Sequence, residues 1–104
     1  MILYGLKNCD TCRKALKALP NAELVDVSTT SVPESILDQA ISQFGDKVLN
    51  TKSTTWRGLD DSERGKAPKA LLIAHPKLMK RPLISDGDAL YLGWDKDTQA
   101  ALLG

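Results

Sequence analysis

The sequence predicts an α/β protein with a four-stranded mixed sheet flanked by helices. Three observations lead to this class. A β-prone segment, a helical segment and a second β-prone segment open the chain. Helical patterns fill the middle, and a turn signal near the C-terminus separates two further β-prone segments. With 104 residues, the chain is expected to form one domain around one core.

The first elements form a strand, a helix and a strand. Ile2–Gly5 is short, apolar and β-prone, which predicts a buried strand. Strong helix formers fill the segment from about Asp10 to Leu19, and Pro20 stops the helix. Leu24–Val27 reads as the second strand. This order predicts a crossover unit with two parallel strands.

A second helix is predicted from a capping signal. Ser31 and Glu34 have the spacing of a capping box, and Gly45 stands where a helix ends with a residue of positive φ. Apolar residues recur between them at helical spacing: Ile36, Leu37, Ala40, Ile41 and Phe44.

The next segment is more polar. Asp46–Lys66, with Trp56 and Leu59 as isolated apolar anchors, predicts short helical turns joined by loops. A further helix is expected to begin at Pro68, since proline suits a first helical turn, and to end at Pro76.

The C-terminal part predicts a hairpin and a closing helix. Pro82–Ser85 and Ala89–Leu92 flank an Asp-Gly-Asp turn, which favours an antiparallel pair. The closing helix is predicted over Asp95–Leu103, with Asp95 or Asp97 as its cap. Its inward positions are expected to be Ala100, Leu102 and Leu103.

Composition excludes several classes of protein. Fourteen Lys and Arg against 13 Asp and Glu leave a net charge of +1, which gives no support for nucleic-acid binding. No apolar run approaches the length of about 20 residues that spans a bilayer, so we expect a cytoplasmic protein without a membrane partner. In that compartment two cysteines indicate redox or metal chemistry more than a structural disulfide.

Those cysteines, Cys9 and Cys12, form a C-x-x-C between the first strand and the first helix. Unpaired N–H groups at a helix start stabilise a thiolate, and Lys7, Arg13 and Lys14 add positive charge. Cys9 is expected to be the nucleophile. Cys12, one helical turn later, is predicted to resolve the mixed disulfide.

Two other interpretations of the cysteines stay open. A C-x-x-C is also half of many zinc sites, for which His75 is the one further candidate ligand. Alternatively, both cysteines are small buried hydrophobic residues without a chemical role.

Three groups of residues follow one another along the chain: Ile2–Gly5 with Asn8–Ala15, Leu49–Thr51 with Thr54–Arg57, and Lys80–Ile84. Together they resemble the family of glutaredoxin-coupled arsenate reductases and Spx proteins, and within it the small YffB-type members. The resemblance implies a thioredoxin-like fold, with a single domain over residues 1–104 and a helical insertion at about 33–76.

The same resemblance implies the composition of the site. It places the catalytic thiolate at Cys9 and makes Arg81 the arginine before a cis-proline, Pro82, at the edge of the site. Arg81 is then expected to hold a carboxylate or an oxyanion by paired hydrogen bonds and to lower the pKa of Cys9. The alternative for Arg81 is a solvated surface charge. The other expected substrate-binding residues are Pro82, Lys7, Asn8 and Arg13.

We therefore predict a thiol oxidoreductase, specifically a glutathione-dependent thiol reductase that forms a mixed disulfide on Cys9. Glutathione is expected as a co-substrate, with no tightly bound cofactor and no metal. A small thiol or an oxyanion is the expected substrate, glutaredoxin is a candidate partner, and a monomer is expected.

Two alternatives come from the same resemblance. The first is glutaredoxin-coupled arsenate reduction, whose further oxyanion-binding arginines fall near Asn50 and Gly93, neither of which is cationic. Arg57 is a candidate substitute. The second is an Spx-like redox-sensitive regulator that binds RNA polymerase, since Spx-type proteins carry a C-x-x-C switch.

Overall fold

The protein is described from a computed structural model that covers residues 1–103 of the 104. Its contacts group the chain into two compact units, one formed by Met1–Thr30 together with the segment from Arg81 onward, and the other by Ser31–Lys80. The single domain with an insertion at about 33–76 stays a prediction. No helix within residues 1–103 is long and apolar enough to cross a membrane.

The first unit contains a four-stranded mixed sheet, as predicted. Its elements are β1 (Ile2–Gly5), α1 (Asp10–Ala18), β2 (Glu23–Asp26), β3 (Leu83–Asp86), β4 (Ala89–Leu92) and a C-terminal helix, Lys96–Leu103. The sheet has the strand order β2-β1-β3-β4, in which β1 and β2 are parallel and the other two pairs are antiparallel. The parallel crossover is therefore confirmed, and β2 begins and ends one residue earlier than expected.

The predicted hairpin is confirmed at β3 and β4. Asp86 pairs with Ala89, so that Gly87 and Asp88 form a two-residue loop. Gly87 has a φ of +61°, and a positive φ at the first loop residue is typical of the type II′ turn, whose twist matches that of the strands.

The hydrophobic core of this unit joins α1 to the sheet. Leu3 on β1 lies opposite Ile84 on β3, and both side chains are fully buried. From α1, Cys12, Ala15 and Leu19 pack against them, since residues three and four apart share one face of a helix. The core therefore reaches to the second cysteine of the C-x-x-C.

The second unit is helical, with the short turns that the sequence predicts. Its elements are α2 (Glu34–Phe44), a 3-10 turn (Gly45–Val48), α3 (Thr54–Arg57), α4 (Asp61–Arg64), α5 (Pro68–Ala74) and a second 3-10 turn (Pro76–Leu78). The single turns α3 and α4 are capped by Ser53 and Asp60. The side-chain oxygens of these caps accept hydrogen bonds from the backbone N–H groups of Trp56 and Glu63.

The predicted capping box of α2 is wrong. Glu34 is the first helical residue, Pro33 precedes it with an extended backbone, and no side chain caps the helix. The proline disfavours a helical conformation at Val32, which is buried, so the helix cannot begin early enough for Ser31 to cap it. At the other end, Gly45 has the expected positive φ, +62°.

For the C-terminal helix, α6, the predicted cap is correct, but two of the three predicted inward positions are wrong. Asp95 caps it, since its Oδ1 accepts a hydrogen bond of 2.8 Å from the backbone N–H of Thr98. Ala100 and Leu103, however, are exposed. Thr98 is buried and Leu102 packs against the core, because a helix that starts at Lys96 turns these two positions, four residues apart, to the same inner face.

The cap provides a stability prediction. Replacing Asp95 with Ala should lower the free energy of unfolding by about 1 kcal/mol, because it leaves a backbone N–H of the first turn of α6 without its acceptor. Urea unfolding followed by circular dichroism measures this loss. Asp97→Ala, at an exposed position in the same turn, is the control and should change stability by less than about 0.5 kcal/mol. Equal losses of stability in both variants would contradict the assignment of Asp95 as the cap of α6.

Candidate functional site

Cys9 stands at the junction between β1 and α1. It is the residue immediately before the helix, with φ −87° and ψ 119°. Its backbone N–H donates to the carbonyl of Leu6 at 3.2 Å, and its carbonyl accepts from the N–H of Arg13 at 2.9 Å. The partly exposed thiol therefore lies where the first N–H groups of a helix lack intrahelical acceptors.

The pKa of the Cys9 thiol is lowered from its ordinary value. Burial, the largest single influence, raises the pKa, but several other interactions together outweigh it. These are hydrogen bonds from the backbone and the side chain of Cys12, the positive charge of Arg81, and a hydrogen bond from the backbone of Thr11. All of them favour the thiolate, which is the nucleophilic form of cysteine.

Cys12 has the opposite character. Its side chain is fully buried, with a relative exposure of 0%. Burial is the main cause that raises its pKa to about 11, and the neighbouring Cys9 thiol raises it further. The C-x-x-C therefore contains one accessible thiol that ionises readily and one buried thiol that holds its proton.

Gly5, at the end of β1, is a site residue that the sequence analysis missed. A Cβ at this position would lie 2.5 Å from Sγ and 3.3 Å from Cβ of Cys12. The backbone of β1 approaches the cysteine so closely that only glycine fits without a shift. A glycine that ends a strand four residues before the first cysteine was the available signal.

Arg81 and Pro82 precede β3, and the sheet register places them near the cysteine loop. Tyr4 pairs with Leu83, so in this antiparallel pair the chain before β3 comes to the end of β1. The Arg81–Pro82 bond is cis, as the resemblance implies. Arg81 is half-buried, and its charge lowers the pKa of both thiols, whereas Pro82 is buried.

Hydrogen bonds from Arg13 and Lys7 hold the loop before Cys9 in place. The Nε of Arg13 donates to the carbonyl of Lys7 at 2.9 Å, and its guanidinium lies 3.8 Å from Asp10. The backbone N–H of Lys7 donates to Asp26 at 3.4 Å. Asp26, at the end of β2, is a second residue that sequence reasoning missed.

Asn8 lies exposed in the turn that precedes Cys9. Its predicted contact with substrate, and those of Lys7, Arg13, Arg81 and Pro82, stay predictions.

The remaining candidates are His75, Asn50, Arg57 and Gly93. His75 belongs to the Ser31–Lys80 unit, where its Nε2 is 3.3 Å from a carboxylate oxygen of Glu63. Among the described residues, no group of three or more His, Cys, Asp or Glu side chains is arranged to hold a metal ion. Asn50 and Arg57 belong to that unit as well, and Arg57 is exposed. Gly93 is in the first unit, where its N–H donates to the carbonyl of Pro82 at 2.8 Å.

Comparisons with known proteins cover nearly the whole chain. A model of the ArsC family matches residues 4–102. An uncharacterized protein of Haemophilus influenzae is 41% identical, over 95% of this chain and 96% of its own. The global transcriptional regulator Spx of Bacillus subtilis is 27% identical, over 91% of this chain and 80% of its own. The solved structure of a YffB protein has a TM-score of 0.87 at 30% identity and covers 99% of this chain and 98% of that one.

Proposed function

This chain belongs to the ArsC family and has its thioredoxin-like fold, and from this membership and the geometry around Cys9 we propose that it is a thiol oxidoreductase. The observation that carries the proposal is the partly exposed Cys9 thiol at the start of α1, beside the charge of Arg81. A lowered thiol pKa and access to solvent together distinguish a reactive cysteine from a structural one.

The proposed reaction is thiol–disulfide exchange. The Cys9 thiolate attacks a sulfur of a mixed disulfide between glutathione and a small thiol, so that a Cys9–glutathione disulfide forms and the small thiol leaves as a thiolate. The thiolate of a second glutathione molecule then attacks the glutathione sulfur, glutathione disulfide forms, and the Cys9 thiolate is released with the bonding electron pair. In sum, the substrate disulfide is reduced, one glutathione disulfide is formed, and the proton from the incoming thiol goes to the released one.

Glutathione is proposed as a co-substrate that binds only transiently. It carries two carboxylates, and the guanidinium of Arg81 offers paired N–H donors that match a carboxylate. Glutathione dependence, glutaredoxin as a partner and an oxyanion as a substrate are all parts of the proposal that the experiments below are designed to separate.

The first experiment measures turnover and the ionisation of Cys9 together. Reduced protein is mixed with a glutathione mixed disulfide and reduced glutathione, and release of the small thiol is followed. In parallel, the rate of alkylation of Cys9 is recorded as a function of pH. We expect turnover, and half-maximal alkylation at a lower pH than for a free cysteine, since only the thiolate reacts. Ordinary cysteine alkylation together with no turnover would overturn the proposal.

Arg81 is expected to act both on the ionisation of the Cys9 thiol and on the binding of the glutathione substrate. Arg81→Ala should lower kcat/KM by about tenfold, because it removes one charge-assisted carboxylate contact and a charge that favours the Cys9 thiolate. Arg81→Lys keeps the charge but loses the paired donors, so its alkylation profile should stay close to the wild type while KM rises. Lys17→Ala, exposed on α1 and one turn further from Cys9, is the control. Equal activity in Arg81→Ala and Lys17→Ala would exclude this role.

Arsenate reduction is the alternative reaction at the same thiol. Incubation with arsenate, glutathione and glutaredoxin, followed by measurement of arsenite, distinguishes it from reduction of a glutathione mixed disulfide. With Arg81 as the one arginine acting on Cys9 among the interactions described above, we expect mixed-disulfide turnover to exceed arsenite formation.

A regulatory function is favoured by a different observation, the C-x-x-C itself together with the likeness to Spx. A pull-down of RNA polymerase with reduced and oxidised protein tests it. Redox-dependent capture without any thiol turnover would replace the enzyme proposal with the regulatory one.

A further inference from the structure

Cys12 lies in the hydrophobic core, although it belongs to a C-x-x-C. It forms one buried cluster with Leu3, Ala15, Leu19 and Ile84, and Cys9 packs against the edge of this cluster. The close approach of Gly5 restrains the Cys12 sulfur from the side of the sheet. The sulfur is thus held in apolar surroundings, within hydrogen-bonding contact of the Cys9 sulfur.

Resting on the proposed function, we propose that Cys12 is a positioning residue: its S–H donates a hydrogen bond to the Cys9 thiolate, and it stays reduced throughout the catalytic cycle. The disulfide between Cys9 and glutathione is then broken by an external thiol. In that step a glutathione thiolate attacks the glutathione sulfur, the Cys9 thiolate leaves with the bonding electron pair, and glutathione disulfide is released.

The first reason is protonation. To resolve the intermediate, Cys12 must attack as a thiolate, but a pKa of about 11 leaves on the order of one molecule in ten thousand ionised at pH 7. Burial is the principal cause of this high value.

The second reason is that the described groups around the sulfur do not take up its proton. Cys12 is acted on by a backbone hydrogen bond from Leu6, by Cys9 and by the charge of Arg81. The Leu6 N–H is itself a donor, Arg81 is a cation, and Cys9 is consumed in the mixed disulfide. Tyr91 is the titratable side chain that packs against the core cluster from β4. The Cys12 side chain has a relative exposure of 0%, so its S–H is shielded from solvent. A hydrogen-bond donor, by contrast, needs only to keep its proton.

Two variants separate a donor from a resolving thiol. Cys12→Ser keeps a donor of similar size, whereas Cys12→Ala removes the donor together with the volume of the sulfur atom. We expect Cys12→Ala to shift the alkylation profile of Cys9 to higher pH and to lower the alkylation rate at pH 6 by about tenfold. Cys12→Ser should restore the wild-type profile, which a purely packing role would not do. A shift of equal size in both variants, or in neither, would overturn the proposal.

Turnover gives the second readout. Cys12→Ser should retain glutathione mixed-disulfide turnover to within about threefold of the wild type, since no step uses a second thiolate. If it loses turnover and accumulates glutathione on Cys9, Cys12 is the resolving cysteine and the proposal is wrong. Unfolding curves identify a variant that fails to fold.

A third readout needs no variant and no turnover. When the wild-type protein is treated with oxidised glutathione and analysed by mass spectrometry, we expect glutathione attached to Cys9 and Cys12 as a free thiol. An internal Cys9–Cys12 disulfide as the main product would overturn the proposal. If the adduct and the alkylation profiles are as expected but no turnover occurs, the positioning role stands and the proposed enzyme function fails.

Discussion

Replacing Cys9 with Ser is expected to abolish thiol transfer, with a loss of roughly a thousandfold or more in kcat. The serine hydroxyl has nearly the same shape, but it does not ionise near neutral pH, so the backbone N–H groups of Thr11 and Cys12 have no thiolate to stabilise. Release of a small thiol from its glutathione mixed disulfide measures the effect.

The folded structure should change little in this variant. Cys9 lies at the edge of the core and is partly exposed, so the free energy of unfolding should change by less than about 1 kcal/mol. Thr11→Ser, at an exposed position in the first turn of α1, is the matched control and should keep its activity. Substantial turnover by a folded Cys9→Ser variant would show that the chemistry lies elsewhere.

Gly5→Ala is expected to have the largest effect on stability. The added Cβ would lie 2.5 Å from the Cys12 sulfur and 3.2 Å from Cδ2 of Leu3, distances that force buried groups to shift. Overpacking of this kind costs about 1–3 kcal/mol, because a close-packed core has no space to absorb an added methyl group. Urea unfolding measures the loss, and an alkylation assay after unfolding confirms that both cysteines are intact.

Gly58→Ala is the matched control for this prediction. Gly58 follows α3 with a φ of −79°, and its added Cβ would meet no atom closer than 3.5 Å. The substitution should be neutral or stabilise the protein by up to about 1 kcal/mol, since alanine restricts the unfolded chain. Similar losses at both glycines would mean that contact with Cys12 is not the cause.

Several elements could be predicted because their signals are local. The strand Ile2–Gly5 and the hairpin around Gly87 follow from short-range patterns of side chains and turns. The cap of α6 by Asp95 is a contact between residues three apart. The position of Cys9 before the first helix belongs to the same class, because a helix start is encoded within one turn of chain.

Two predictions failed for different reasons. Ser31 and Glu34 have the spacing of a capping box, but Pro33 disfavours a helical conformation at the buried Val32, so the helix begins later. Leu103 is apolar and yet exposed, because the start of α6 and its packing select Leu102 for the core. A steric effect of the next residue decided the first case, and packing against the core outweighed the local pattern in the second.

Two thiols at the start of a helix, with Cys9 at the N-cap, could be predicted from the sequence, because both facts depend on neighbouring residues. The difference between the two thiols, by contrast, arises from tertiary contacts. The approach of Gly5 and the core around Cys12 remove one sulfur from water, and the pairing of β1 with β3 brings the charge of Arg81 to both. Desolvation and charge act through space between residues that are far apart in the chain, so a sequence pattern alone does not reveal them.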